Sequence, residues 1–218
     1  MLITMENVID LECASRLVAL IEQGPVKSGK STAAGSAAEV KNNLQLAPDS
    51  EAARQARELL LSKLQTDSMF KAATFPREFV APVFSRYDVG MSYGAHLDNP
   101  LMGTTRVDVS VSVFLNDGAD YDGGELVIDT GYGIQTIKGN AGDCVIYPSN
   151  THHHVSEVTR GVRYAGVLWI ESQVRDPAQR KLLHDLGGAI RNLDLFSQPT
   201  PQLEVIRRCY TNLLRMWV

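Results

Sequence analysis

The sequence predicts a mainly β protein, a jelly roll of short antiparallel strands with helices at both ends. From Val83 onward, short alternating runs are separated by turns that contain glycine, and no helical pattern interrupts them. Many short strands without intervening helices are typical of a double-sheet jelly roll. Helical patterns lie before and after this region. We therefore predict an N-terminal helical support region (1–78), a jelly-roll core (79–172) and a C-terminal helical extension (173–218).

Length and composition limit what the chain can be. With 218 residues and 44% hydrophobic composition it can bury one sizeable core. A net charge of −4, without a run of five basic residues, argues against nucleic acid as a partner. The three cysteines lack C-x-x-C spacing, which fits a reducing, cytoplasmic location. The aliphatic run near the N-terminus, Leu17 to Ile21, is too short to span a bilayer, so no membrane association is expected.

Two amphipathic helices are predicted before the strands. Apolar residues recur at helical spacing over residues 11–22, and Asp10 is placed as the N-cap. A second helix should begin after Asp49-Ser50 and run to about Leu64. Each helix has one apolar side, so both should support the sheet. Pro76 and Pro82 then argue for an approach to the core along a sheet edge.

The segment Gly24–Ser31 matches the Walker A pattern, and Leu126–Asp129 could pass as a Walker B strand. A nucleotide-binding protein is therefore an alternative function. Phosphate binding, however, needs a strand before the glycine loop and a helix after it. Here a helix precedes the loop, and Gly35 breaks the helical run in Thr32–Ala37. We predict a solvated loop or an edge strand, and we assign no role to the polar segment Lys41–Asn43.

One strand of the core shows strict alternation. Residues 106–114 place valines on one face, which suits packing against the helices. The opposite face carries Ser110, Ser112 and Phe114, which should point into a ligand cavity.

A metal site is predicted from His96 and Asp98. Two residues apart on an extended segment, they point to the same side, about 7 Å apart along the strand, and can converge on one ion. A third ligand could come from His152, His153 or His154; in an extended segment His153 faces opposite to the other two. Two histidines and a carboxylate form the facial triad of non-haem Fe(II) sites, which leaves positions open. The same histidines would also suit a non-enzymatic metal-binding jelly roll of the cupin type.

Several motifs occur in an order that resembles a known family. They are Arg86-Tyr87, His96-Leu97-Asp98, Phe114-Leu115-Asn116-Asp117, Tyr121-Asp122-Gly123-Gly124-Glu125-Leu126, Ala141-Gly142-Asp143, Tyr147-Pro148-Ser149 and Val158-Thr159-Arg160-Gly161-Val162-Arg163. Together they resemble the Fe(II)/2-oxoglutarate dioxygenases of the prolyl and lysyl hydroxylase type, most closely the bacterial PKHD-type hydroxylases. The resemblance implies a double-stranded β-helix fold.

The resemblance also implies a reaction. The enzyme would use O2 and 2-oxoglutarate to hydroxylate an unactivated C–H bond, with release of succinate and CO2. The prime substrate would be peptidyl or a free amino-acid-like molecule, although the sequence does not identify it. Fe(2+) would be the metal, and L-ascorbate would serve as reductant.

The resemblance assigns roles to individual residues. It makes His153 the third metal ligand, together with His96 and Asp98. Arg163, ten residues after His153, falls where the family binds the C5 carboxylate of 2-oxoglutarate, a task that suits the planar guanidinium. Tyr87 matches the tyrosine whose hydroxyl helps to hold 2-oxoglutarate, and Tyr93 is the alternative. A cupin-type protein would need no Arg163.

Two further helices are predicted at the C-terminus. Asp176-Pro177 and Thr200-Pro201 each combine a capping residue with proline at the first helical position. Their apolar faces could cover the outer face of the barrel. Alternatively, Leu213, Leu214 and Trp217 could form a homodimer. His184 lies in the first of these helical patterns and is interpreted as structural.

Overall fold

A computed structural model describes residues 1–33, 35–196, 198 and 200–218. Ala34, in the segment Thr32–Ala37, lies outside the described residues, as do Ser197 and Pro199 of the C-terminal extension. The helices are α1 Leu11–Gln23, α2 Ser36–Glu39, α3 Glu51–Leu64, α4 Ser68–Thr74, α5 Pro177–Phe196 and α6 Pro201–Trp217. The strands are β1 Ile3–Met5, β2 Val26–Ser28, β3 Lys41–Asn42, β4 Leu44–Leu46, β5 Pro76–Phe79, β6 Val83–Tyr87, β7 Ser92–His96, β8 Leu101–Met102, β9 Thr105–Arg106, β10 Val109–Phe114, β11 Asp122–Gly123, β12 Leu126–Asp129, β13 Ile134–Ile137, β14 Cys144–Pro148, β15 His153–Val155, β16 Val158–Arg160 and β17 Arg163–Ser172.

Two antiparallel sheets form the body of the molecule, as the sequence predicted. The larger sheet has eight strands in the order β1-β14-β10-β17-β6-β4-β2, with β5 paired to β17. The smaller sheet has five strands in the order β13-β12-β15-β7-β3. A buried cluster between the sheets includes Phe114, Ile128 and Tyr147. The site described below opens into the same inter-sheet space.

The helices cover the other face of the larger sheet. Leu17 of α1 and Leu60 of α3 are fully buried in one cluster with Val111 of β10 and Leu168 of β17. This confirms that the valine face of β10 packs on the helices. Truncating a buried leucine such as Leu17 to alanine is expected to cost about 2 to 5 kcal/mol of stability.

The predicted caps are present. The Asp10 carboxylate accepts a hydrogen bond from the Cys13 amide at 2.7 Å, and Ser50 Oγ accepts one from the Ala53 amide at 3.1 Å. These bonds satisfy amide donors that would otherwise lack partners at the first turn of each helix. Helices α1 and α3 therefore begin as predicted. Helix α4, capped by Asp67, was not predicted.

The N-terminal region contributes strands as well as helices. Strands β1, β2 and β4 extend the larger sheet, and β3 pairs with β7 of the smaller one. A description of residues 1–78 as purely helical support is therefore incomplete, while the division at residue 79 remains a prediction. Strand β2, within the Walker-like segment, lies at the edge of the larger sheet, in agreement with the edge strand predicted there.

The two C-terminal helices pack against each other, and α5 also contacts α4. The Thr200 hydroxyl accepts a hydrogen bond from the Leu203 amide at 3.1 Å, so α6 begins as predicted. None of the described helices is long and apolar enough to cross a membrane.

Candidate metal centre and cosubstrate pocket

The structure brings His96, Asp98 and His153 together. One potential ligand atom from each residue lies within 4.8 Å of the other two, and His153 Nε2 is 3.8 Å from Asp98 Oδ2. His96 ends β7 and His153 begins β15, and these two residues are paired across neighbouring strands. Asp98 follows two residues after His96, on the same side of the chain. A pair of adjacent antiparallel strands therefore builds the whole cluster.

Both histidine rings have one nitrogen fixed by the backbone. His96 Nδ1 lies 2.9 Å from the carbonyl oxygen of Gly94, and His153 Nδ1 lies 2.9 Å from that of Thr151. A carbonyl oxygen only accepts, so each Nδ1 carries the proton and donates it. The Nε2 lone pairs are then free to bind a metal.

The Asp98 carboxylate is also held in place. Its Oδ2 accepts a hydrogen bond from Ser110 Oγ at 2.5 Å, and Ser110 Oγ lies 2.8 Å from Ser149 Oγ. Ser110 is fully buried on β10, on the face predicted to point into the cavity. The two hydroxyls connect the larger sheet to the cluster and fix the orientation of the carboxylate.

Aromatic rings surround the histidines. Tyr93 stacks on His96 with ring centroids 3.7 Å apart, and Tyr147 meets His153 edge-on at 5.0 Å. Burial and the neighbouring His153 lower the pKa of His96 to about 4. The imidazole is therefore neutral at pH 7, which is the form that binds a metal.

The three adjacent histidines separate as predicted. His153 is buried, with 6% of its surface exposed, whereas His152 is exposed and His154 is half-buried. Only His153 belongs to the cluster. His154 is paired with Val127 on β12.

Arg163 lies in the same cavity and is 1% exposed. Among the described residues no carboxylate lies within 4.0 Å of its guanidinium, and its Nε has no hydrogen-bond partner. Its guanidinium carbon lies 5.1 Å from the centre of the Tyr87 ring and 5.8 Å from that of Phe114. A buried, permanently charged group without an anionic partner is costly. The arrangement fits an anionic ligand that completes the pair.

Arg160, three residues before Arg163, is not among the residues that line the cavity. It forms an ion pair with Asp122 on the surface, with Nε 2.7 Å from Oδ2. Among the described residues, Arg160 is therefore already paired on the surface, unlike Arg163.

The tyrosines assigned from sequence both line the cavity. Tyr87 on β6 is paired with Arg163 on β17, and burial raises its pKa while the arginine charge opposes that rise. Tyr121, which was not assigned a role, also lies beside Arg163, and its buried hydroxyl has no partner among the described residues. Gly124 makes this packing feasible: its φ is +64°, and a Cβ there would lie 3.1 Å from Arg163 Cδ. The Gly123-Gly124 motif thus leaves room for the arginine.

The cavity has a volume of ≈ 240 Å³, and its lining includes Arg163, the His-Asp-His cluster and Trp169. Arg163, Val167 and Trp169 share one face of β17, because alternate residues of a strand point the same way. Lys41 and Thr32 also line this cavity. Sequence analysis assigned no role to Lys41, since its polar segment has no periodicity.

The comparisons with known proteins agree with this geometry. Residues 82–171 match the family described as the 2OG-Fe(II) oxygenase superfamily. A prolyl-4-hydroxylase from Pseudomonas putida has a similar fold, with a TM-score of 0.57, 19% identity and coverage of 78% of this chain and 92% of that one. A prolyl hydroxylase from Trichoplax adhaerens, in complex with a hypoxia inducible factor peptide fragment, has a similar fold with a TM-score of 0.61 and 17% identity. The match covers 83% of this chain and 86% of that one. The fold and the cluster together define a 2-oxoglutarate- and Fe(II)-dependent oxygenase.

Full-length relatives narrow the class. The chain is 41% identical over 224 residues to a PKHD-type hydroxylase of Caulobacter sp. (strain K31), covering 100% of this chain and 99% of that protein. It is also 41% identical over 221 residues to one of Thermosynechococcus vestitus, with the same coverage. The chain belongs to the PKHD-type hydroxylases of the 2OG-Fe(II) oxygenase superfamily. The nucleotide-binding and cupin-type alternatives are therefore not retained.

Proposed function

We propose that His96, Asp98 and His153 bind the catalytic Fe(II) and that Arg163 binds the C5 carboxylate of 2-oxoglutarate. The observation that carries this proposal is the buried Arg163 guanidinium, which has no acidic partner among the described residues and shares a cavity with the His-Asp-His cluster. Two imidazoles and one carboxylate suit Fe(II) and leave coordination positions for cosubstrate and oxygen. Bound Fe(II) supplies the oxidative chemistry, in which O2 and 2-oxoglutarate are consumed.

The protein residues around the proposed metal site hold the ligand side chains in place. The Nδ1 bonds of His96 and His153 to backbone carbonyls hold the Nε2 lone pairs toward the ion, and Ser110 keeps Asp98 oriented. Tyr87 is the residue we assign to the 2-oxoglutarate carboxylate beside Arg163. It is 3% exposed and directly paired with the arginine, whereas Tyr93 stacks on His96.

The three histidines provide the sharpest test of the metal ligands. His153→Ala should abolish Fe(II) binding and turnover. His152→Ala is the matched control, because this neighbour is exposed and should keep both. His154→Ala should keep the metal with a loss of no more than about 10- to 100-fold in affinity. Metal content after dialysis and succinate formation are the measurements, and a metal-free His152→Ala or His154→Ala protein would refute the assignment.

We further infer that the prime substrate is peptidyl or a free amino-acid-like molecule and that L-ascorbate restores iron oxidised in uncoupled turnovers. The first inference is supported by the similarity to hydroxylases that include prolyl hydroxylases. Adding ascorbate should extend the linear phase of succinate formation in the absence of prime substrate. An unchanged time course would contradict the role of ascorbate.

Two finer proposals concern the assembly and location of the protein. Helix α6 leaves Val205, Met216 and Val218 exposed, and Leu213, Leu214 and Trp217 half-buried, which supports a homodimer through this helix. Light scattering of the wild type and of Trp217→Glu would test it. The cysteines Cys13, Cys144 and Cys209 are all free, which supports a reducing, cytoplasmic location.

A further inference from the structure

Besides Arg163, the active-site cavity contains a second positively charged side chain, that of Lys41. Neither metal binding nor 2-oxoglutarate binding, as proposed above, uses this lysine. Lys41 is 6% exposed and lines the cavity. Its Nζ donates a hydrogen bond to Thr32 Oγ1 at 3.0 Å and lies 4.8 Å from the centre of the Tyr93 ring. In the described part of the chain, no carboxylate lies within 4.0 Å of it. Two of its three N–H donors are therefore left for a ligand.

Contacts between the 29–32 turn and β3 hold Lys41 in position. Residues 29–32 form a 3-10 turn against β3, and the Gly29 amide donates to the Asn43 carbonyl at 2.8 Å. A Cβ at Gly29 would lie 1.8 Å from Asn43 Oδ1, so any larger residue at position 29 would displace the Asn43 side chain. Thr32, at the end of the turn, also donates to Gln45 Oε1 at 2.5 Å. The turn at the end of the Walker-like segment therefore places Thr32 at the cavity, where its hydroxyl orients the lysine.

Lys41 is close to the metal cluster. The Tyr93 ring that it contacts stacks directly on His96. Only the Tyr93 ring therefore separates the Lys41 ammonium from the proposed ligand His96, and a group bound to Lys41 would lie close to the metal site. Burial lowers the pKa of Lys41 to about 8, with Asp98 opposing the shift, so the amine remains mostly protonated at pH 7.

The charge balance of the cavity indicates what Lys41 binds. The ionised side chains among its described lining residues are Lys41, Asp98 and Arg163. Fe(II) and the dianion of 2-oxoglutarate cancel each other, and Asp98 cancels Arg163. One positive charge, that of Lys41, remains. A single carboxylate would neutralise it, whereas a phosphate ester, with close to two negative charges at pH 7, would leave an excess.

Much of the remaining lining of the cavity is apolar. Val80, Ala81, Met102 and Trp169 line it, and the buried Nε1 of Trp169 has no partner among the described residues. These residues offer contact area for an aliphatic body and one additional donor.

We propose that Lys41 recognises a free carboxylate of the prime substrate, so that this hydroxylase acts on a carboxylic acid such as a free amino-acid derivative or a chain terminus. This inference rests on the proposed function, because it takes Arg163 to be occupied by 2-oxoglutarate. The carboxylate binds the ammonium, the body of the substrate lies on the apolar wall, and the C–H bond to be hydroxylated faces the metal.

The test compares matched ligands on protein loaded with Zn(II) and 2-oxoglutarate, so that no turnover is needed. N-acetylproline, N-acetyllysine and N-acetylalanine are titrated as carboxylates and as the corresponding carboxamides, with binding followed by ligand-observed NMR. The wild type should prefer at least one carboxylate over its carboxamide by about 10- to 150-fold, the range expected for a charge-assisted hydrogen bond. Lys41→Met should abolish that preference while 2-oxoglutarate affinity is unchanged.

Three variants serve as controls. Lys30→Met removes an exposed lysine of the same segment and should behave as wild type. Thr32→Val removes the hydrogen bond but keeps the charge, so the preference should persist with about 3- to 10-fold weaker binding. Lys41→Gln replaces the methionine variant if the latter fails to bind metal.

The outcomes separate the two proposals. A wild type without any carboxylate preference, or a preference that survives loss of the Lys41 charge, would overturn the role of Lys41. A large loss of 2-oxoglutarate affinity in Lys41→Met would assign the lysine to the cosubstrate and also overturn it. A wild type that binds no 2-oxoglutarate in the presence of metal would instead refute the proposed function.

Discussion

Replacing Arg163 with methionine should weaken 2-oxoglutarate binding without emptying the metal site. The guanidinium is 1% exposed, it lies between the Tyr87 and Phe114 rings, and the described residues offer it no carboxylate. Loss of one partner from a buried charge pair costs about 2 to 5 kcal/mol. We therefore expect the dissociation constant of 2-oxoglutarate to rise by about 30- to 5,000-fold.

The assay is calorimetric titration of 2-oxoglutarate into Zn(II)-loaded protein, with metal content measured in parallel. Arg160→Met is the matched control, because this arginine has the same chemistry but pairs with Asp122 on the surface. Arg163→Lys should recover only part of the affinity, since an ammonium keeps the charge but lacks the planar fork that meets a carboxylate. The 2-oxoglutarate affinity that Arg163→Lys does not recover measures the contribution of the bidentate contact.

The Arg163→Met variant also tests how the buried charge affects the thermal stability of the protein. A buried charge without an anionic partner destabilises the ligand-free protein, so Arg163→Met should have a thermal midpoint no lower than that of the wild type. Added 2-oxoglutarate should raise the wild-type midpoint, because a ligand that binds only the native state stabilises it, and should raise that of the variant much less. Unchanged 2-oxoglutarate affinity in Arg163→Met would refute the reasoning, and so would an equal loss in Arg160→Met.

Three further predictions concern the metal cluster and the Walker-like segment. Ser110→Ala should lower metal affinity about 10- to 100-fold by freeing the Asp98 carboxylate, whereas Ser110→Thr should retain most of it; competition with a chelator measures both. Because burial lowers the pKa of His96 to about 4, the unfolded chain takes up the proton first, and metal-free protein should lose stability as pH falls from about 6.5 to 4. Thermal midpoints across this range should fall less steeply in His96→Gln. Lys30→Ala should leave succinate formation unchanged, and calorimetry should detect no ATP binding to the wild type; micromolar binding lost in the variant would reverse this interpretation.

The parts of the site that sequence could predict depend on local rules. Residues two apart on a strand share a face, which predicted that His96 and Asp98 would converge and that His153 would separate from its neighbours. The same rule predicted that Ser110 would face the cavity. Its hydrogen bond to Asp98 could not be predicted, because that bond depends on how the larger sheet meets the end of β7.

The parts that sequence could not predict depend on pairing over long distances. Strands β1, β3 and β4 have two or three residues each, too few to show periodicity, so the sheet extensions they form were not foreseen. Lys41 reaches the cavity only because β3 pairs with β7, with Lys41 opposite Tyr93. No feature of the polar segment itself could indicate that partner. Helix α4 was missed because its seven residues give too short a window for a helical pattern.

The Walker-like segment shows why a motif must be judged with its flanking elements. A phosphate-binding loop works because a strand delivers the chain to the loop and a helix then directs its amides at the anion. Here α1 precedes Gly24, and a 3-10 turn ends at Thr32. The Gly29 amide, which a phosphate would require, is already bound to the Asn43 carbonyl. The glycine therefore serves close packing of the turn against β3, and Thr32, the residue directly after the segment, is the one that lines the active-site cavity and bonds to Lys41.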